Sequence, residues 1–219
     1  MSGVCRAVVD RGSQVIQLDS RDCGRSAHFI GAPVPDFATP VTGDLSTAAC
    51  TPSTRLTAIE HPERVRSITS MMSTTGGSGA GEAGSRVFAG LSAPGRDREA
   101  FVEWQVRALR LAASPGFAFD AQAAADRAGR VFDRGYDPLG VQRQGLAVVA
   151  TGDRTERLRS LRVPTLVVHG AADIVCDVSG GHATAAAVPG AELLILDGMG
   201  HHLPQELWPQ LAARIGEFL

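Results

Sequence analysis

Residues 163–169, VPTLVVH, form an unbroken apolar run of the kind that makes a strand buried on both faces. A helical pattern follows over 179–188 and is closed by Pro189 and Gly190. A second apolar run over 191–196 and an amphipathic pattern over 204–219 complete the chain. Strand, helix, strand, helix predicts a parallel sheet with crossover helices, because parallel neighbours cannot be joined by a tight hairpin. The rhythm is weaker at the other end. Residues 4–11 read as the end of a helix stopped by Gly12, 14–19 as a short strand, 54–60 as a helical piece and 64–72 as a strand, while 31–53 show no period and read as a long loop.

The middle of the chain differs. Glycine and serine dominate 73–84, which reads as a flexible linker. Beyond it, 98–113, 120–134 and 138–150 carry helical patterns, and Asp153 with Glu156 has the spacing of a capping box opening a fourth helix. The expected fold class is therefore α/β, a parallel sheet with flanking helices and a helical insertion.

Charge excludes whole classes of partner. The 21 basic residues, all arginine, against 23 acidic ones leave a net charge of -2, no footprint for nucleic acid or anionic lipid. The absence of lysine and asparagine reflects codon bias and says little about function. A chain 44% hydrophobic and 20% charged can bury a real core. No apolar run nears the roughly 18 residues of a membrane span, and Arg6, Asp10 and Arg11 stand where a signal peptide needs its apolar stretch, so the expected location is cytoplasmic. Cys5, Cys23, Cys50 and Cys176 form no CxxC pair, which argues against a zinc ribbon or a disulfide framework. His169, His201, His202 and Cys176 lack the spacing of metal ligands, and neither metal nor cofactor is expected. Residues 79–84 match GxGxxG, but no helix pattern opens there, so the match is accidental in a glycine-rich stretch.

Open parallel sheets place their sites at the carboxyl ends of the strands. After the run at 163–169 comes Gly170-Ala171-Ala172-Asp173. After the run at 191–196 comes Asp197-Gly198-Met199-Gly200-His201-His202. An acid and a histidine at the tips of neighbouring strands can meet, the acid fixing the imidazole tautomer and stabilising its protonated form. The plainer alternative is an aspartate that caps a turn and a Gly-His loop that is only a loop.

VPTLVVHGAADIV, GMGHHLP, HPERVRS at 61–67 and QVIQLDSRDCGRS together resemble α/β-hydrolases of the proline iminopeptidase and aclacinomycin methylesterase type. The likeness runs over most of the chain. It implies an incomplete N-terminal part of the α/β core at 1–94, a helical cap at 95–161 and the C-terminal part of the core at 162–219. It implies Asp173 as triad acid and His201 as triad base, with His202 pointing elsewhere. The implied activity is hydrolysis of a small ester or peptide-like substrate, bound under the cap, through Ser-His-Asp acyl transfer.

The resemblance also exposes a departure. The family nucleophile sits in GxSxG at a strand-to-helix turn whose next N–H supplies half of the oxyanion hole, and no GxSxG occurs in the 219 residues. Where the elbow belongs, the chain has 46–53, STAACTPS, and a strand-plus-helix unit of roughly 30 residues is absent. The other oxyanion donor comes from a loop before the first helix, and the sequence given starts three residues ahead of Val4. Cys50 and Ser53 are the nearest substitutes, yet Pro52 and Ser53 read more simply as a turn and an N-cap. Ser78, in GGSGAG, has Ala80 where the second motif glycine belongs. The expectation is thus a hydrolase-group chain without its nucleophile, against the alternatives of an inactive remnant or a non-enzymatic small-ligand binder. Loss of a central strand also predicts self-association through exposed edges.

Overall fold

A computed structural model describes residues 3–16, 24–26, 28, 58–82 and 96–218. The sheet it shows has three parallel strands in the order β1-β2-β3: β1 (Ile68–Met71), β2 (Thr165–Gly170) and β3 (Glu192–Leu196). Ile68 pairs with Thr165 and Met71 with Val168; Leu166 pairs with Glu192 and Gly170 with Leu196. Every residue of β2 is buried, as the apolar run requires of a central strand.

The helices are α1 (Gly3–Val9), α2 (Arg98–Leu111), α3 (Ala121–Asp133), α4 (Pro138–Ala150), α5 (Thr155–Arg159), α6 (Ser179–Ala187) and α7 (Trp208–Gly216). Asp97 and Asp120 cap α2 and α3, their side chains accepting from the backbone N–H of Ala100 and Ala123. Two apolar clusters flank the sheet. Leu166 and Val168 pack with Leu196, Met199 and Leu211 under α1 and α7, where Val4 and Ile215 complete the contact. On the far side Ile68, Leu158, Leu161, Ala187 and Val188 close the space beneath α5 and α6.

Several expected boundaries move. Residues 14–16 form no strand, and the rest of the run to 19 lies outside the described residues. The expected strand at 64–72 shortens to β1 because Pro62–Arg64 forms a 3-10 turn, its proline ring favouring a helical start. The capping box at Asp153 and Glu156 does not form. Asp153 Oδ1 instead accepts from the Thr155 N–H and hydroxyl in a local turn, and Glu156 pairs with Arg159. The glycine-rich stretch is pinned over its described part, 73–82. Thr74 Oγ1 donates to Ala80 O at 2.8 Å, the Gly81 N–H donates to Ser179 Oγ at 3.0 Å, and Arg154 Nη2 donates to Thr74 O at 2.9 Å. Its glycines serve geometry: Gly76, Gly79 and Gly81 all have φ near +75°, which only glycine adopts freely. The loop expected at 31–53 lies outside the described residues, as do residues 54–57 of the expected helix; 58–60 are helical.

No helix among the described residues is long and apolar enough to cross a membrane.

Candidate active site

β2 ends at Gly170, and the chain turns at once. The Ala171 N–H donates to Leu196 O and the Ala172 N–H to Met199 O, which lays the loop after β2 against the loop after β3. A Cβ at Gly170 would sit 2.2 Å from Met199 O, so glycine is what lets the two loops close. Asp173 and His201 are thereby brought together: His201 Nδ1 donates to Asp173 Oδ2 at 2.7 Å. The other carboxylate oxygen, Oδ1, accepts the N–H groups of Val175 and Cys176, both at 2.9 Å. The carboxylate is wholly buried, whereas the His201 side chain keeps 33% of its exposure. The Nδ1 edge of the imidazole is therefore held, and part of the ring is open to solvent.

A second histidine lies beneath the acid. His169, on β2, donates from Nε2 to Cys176 O at 2.8 Å, and the same nitrogen is 3.5 Å from Asp173 Oδ2. Burial alone would raise the Asp173 pKa, but hydrogen bonds from His169, His201 and the Cys176 N–H outweigh it and hold the carboxyl well below the usual carboxylate range. Burial likewise works against a charged His169, but the Asp173 carboxylate and the Cys176 contacts outweigh it and raise that pKa to about 10. Asp173 is thus an anion between two imidazoles.

The His202 ring lies edge-on to Phe119 at 5.9 Å, and burial with the nearby Arg127 charge lowers its pKa. Cys176 is a buried thiol. Ser78 sits in the turn closed by the Ala80 N–H on Gly77 O, while Cys50 and Ser53 lie outside the described residues. The described part of the GxGxxG match, 79–82, is turn rather than helix start. Among the described residues no three His, Cys, Asp or Glu side chains are grouped to hold a metal ion, and Asp173 is the hydrogen-bond partner of His201, with no serine or cysteine on the imidazole.

Two residues meet this site in roles the sequence did not give them. His169 carries a weak signal, a histidine closing an otherwise apolar strand. Ser114 carries none: it lies in AASPGF, between α2 and α3, yet its hydroxyl accepts the Gly200 N–H at 2.8 Å and donates to His202 O.

No protein-family model matches the chain. Solved structures do. The meta-cleavage product hydrolase CumD of Pseudomonas fluorescens IP01 is similar at TM-score 0.55 and 18% identity, over 75% of this chain and 59% of that one. The serine hydrolase CarC, involved in carbazole degradation, is similar at TM-score 0.54 and 19% identity, over 75% of this chain and 57% of its own. The 2-hydroxy-6-oxo-6-phenylhexa-2,4-dienoate hydrolase BphD of Rhodococcus sp. strain RHA1 is similar at TM-score 0.53 and 16% identity, over 74% and 57%. The chain spans less than two thirds of the length of each of these proteins. Parallel strands joined by crossover helices, the helices at 98–159 and these likenesses agree on one architecture: the chain has the α/β-hydrolase fold.

Proposed function

We propose that Asp173 and His201 are the acid and base of a Ser-His-Asp acyl-transfer centre for a small ester or peptide-like substrate, of the proline iminopeptidase and aclacinomycin methylesterase type. The observation that carries this reading is the buried Asp173 carboxylate fixing Nδ1 of a half-open imidazole at 2.7 Å. With Nδ1 held as the donor, Nε2 carries the free lone pair. It would take the proton of an attacking hydroxyl and return it to the leaving group, while Asp173 stabilises the imidazolium formed between the two steps. The helices at 98–159 would serve as the cap over the substrate.

The same reading includes a deficit. The 219 residues contain no GxSxG, and on this reading the chain by itself is expected to be silent as an esterase. Loss of the nucleophile alone costs on the order of 10⁶ in turnover in a serine protease, and missing oxyanion donors cost more. Hydrolysis of p-nitrophenyl acetate by the purified chain is expected to match that of His201→Ala. Turnover abolished both by that substitution and by a serine-directed phosphonate would show a working nucleophile, and the labelled peptide would identify it.

A further inference from the structure

We propose that Ser114 is a positioning residue for His201, through which the helical segment rather than the sheet sets the direction of the imidazole. The proposal rests on the reading of Asp173 and His201 as an acid–base pair.

A serine hydroxyl offers one donor and two acceptor sites. Ser114, only 4% exposed, spends its donor on His202 O and an acceptor on the Gly200 N–H, the backbone groups that bracket His201. Holding both restricts the backbone dihedrals of the three residues between them, and so the direction of the His201 Cα–Cβ bond. The two segments also meet along their backbones. The Gly116 N–H donates to Gly198 O at 2.9 Å. A Cβ at Gly200 would lie 2.3 Å from Ala113 O, and one at Gly116 2.8 Å from Gly198 Cα, so glycines at these positions permit the approach. Among the described residues, Ser114 is the one side chain whose hydrogen bonds reach both sides of His201.

Removing the hydroxyl leaves the Gly200 N–H buried without its partner and takes the donor from the His202 carbonyl. The loop is then free to rotate, and His201 loses its alignment with Asp173. His169 shares Asp173 with His201, but its Nε2–H bond to Cys176 O is made within its own loop and does not run through Ser114. That bond is the internal control.

The test is the imidazole ¹⁵N shifts of His201 and His169, read through their carbon-bound protons in wild type, Ser114→Ala and Ser114→Thr, with rings in the neutral form for His201. Wild type should show a single Nδ1–H tautomer for His201. Ser114→Ala should shift it to a mixture dominated by Nε2–H, as in free histidine, with the His169 Nε2–H bond to Cys176 O retained, and Ser114→Thr should restore the wild-type pattern. Should Ser114→Ala not fold, Ser114→Cys keeps the volume with a weaker hydrogen bond and is read by the same criteria. An unchanged His201 in the folded variant overturns the proposal, and so does loss of the His169 Nε2–H bond to Cys176 O alongside the change at His201, which marks general loosening. A wild-type His201 without the Nδ1–H tautomer removes the acid–base reading itself, and this proposal with it.

Discussion

His169 Nε2 lies 3.5 Å from Asp173 Oδ2 with both side chains fully excluded from solvent. This oxygen is the one that accepts from His201 Nδ1, so a buried anion is shared between a sealed imidazole and an open one. In a water-excluded site such a pair is costly to break, because removing one partner strands the other's charge.

The first prediction concerns pH. The folded pKa of His169 is raised from 6.5 to about 10, so its contribution to stability is complete below 6.5 and is lost as pH rises towards about 10. The folded pKa of Asp173 is lowered from 3.8, so its contribution is present above that value and fades as the medium becomes more acidic. Asp177, whose carboxylate also feels His169, shifts the same way for a local reason, the Ser179 N–H and hydroxyl. Urea midpoints should be highest between 3.8 and 6.5 and decline on the alkaline side. His169→Gln should flatten the alkaline decline; a variant that keeps it would place its origin elsewhere.

Two substitutions at Asp173 separate charge from hydrogen bonding. Asparagine retains an oxygen able to accept the Val175 and Cys176 N–H groups, whereas alanine leaves both donors unpaired. Each orphaned donor costs about 1–3 kcal/mol. Asp173→Ala should thus be less stable than Asp173→Asn by about 2–6 kcal/mol in chemical denaturation. Equal stabilities would mean that the loop finds other acceptors.

Gly181 on α6 faces the sealed histidine. A Cβ there would sit 2.7 Å from His169 Nδ1, an atom with no hydrogen-bond partner among the described residues. Gly181→Ala should destabilise the chain by about 1–3 kcal/mol despite the better helix propensity of alanine. A rise in melting temperature would show that the ring can yield.

Self-association is expected in solution. β1 and β3 are both sheet edges among the described residues, and Leu193 on β3, Val131 and Val141 are exposed. Such edges and apolar surfaces favour pairing between copies. Sedimentation velocity over a range of concentrations should show a rising average mass, and a single monomer boundary throughout would refute it.

Local chemistry made much of this molecule legible. VPTLVVH reads as a buried strand because six residues of unbroken apolar or small character have no other place in a folded chain, and it became β2. The helical patterns at 98–113 and 120–134 were legible too, and the structure opens these helices on Asp97 and Asp120, whose side chains bond to their own first turn. Asp173 and His201 stood out because parallel strands end together, so residues just past them converge whatever the rest does. The strand expected at 64–72 was cut to four residues because Pro62 turned the chain first. His169 and Ser114 could not be read in this way. His169 became a partner of Asp173 only when the loop after β2 folded back over it and α6 offered a glycine. Ser114 meets Gly200 and His202 across separations of 86 and 88 residues. No period or spacing encodes such a contact, since it exists only after the helices between the two halves of the sheet have packed against the loop that carries His201.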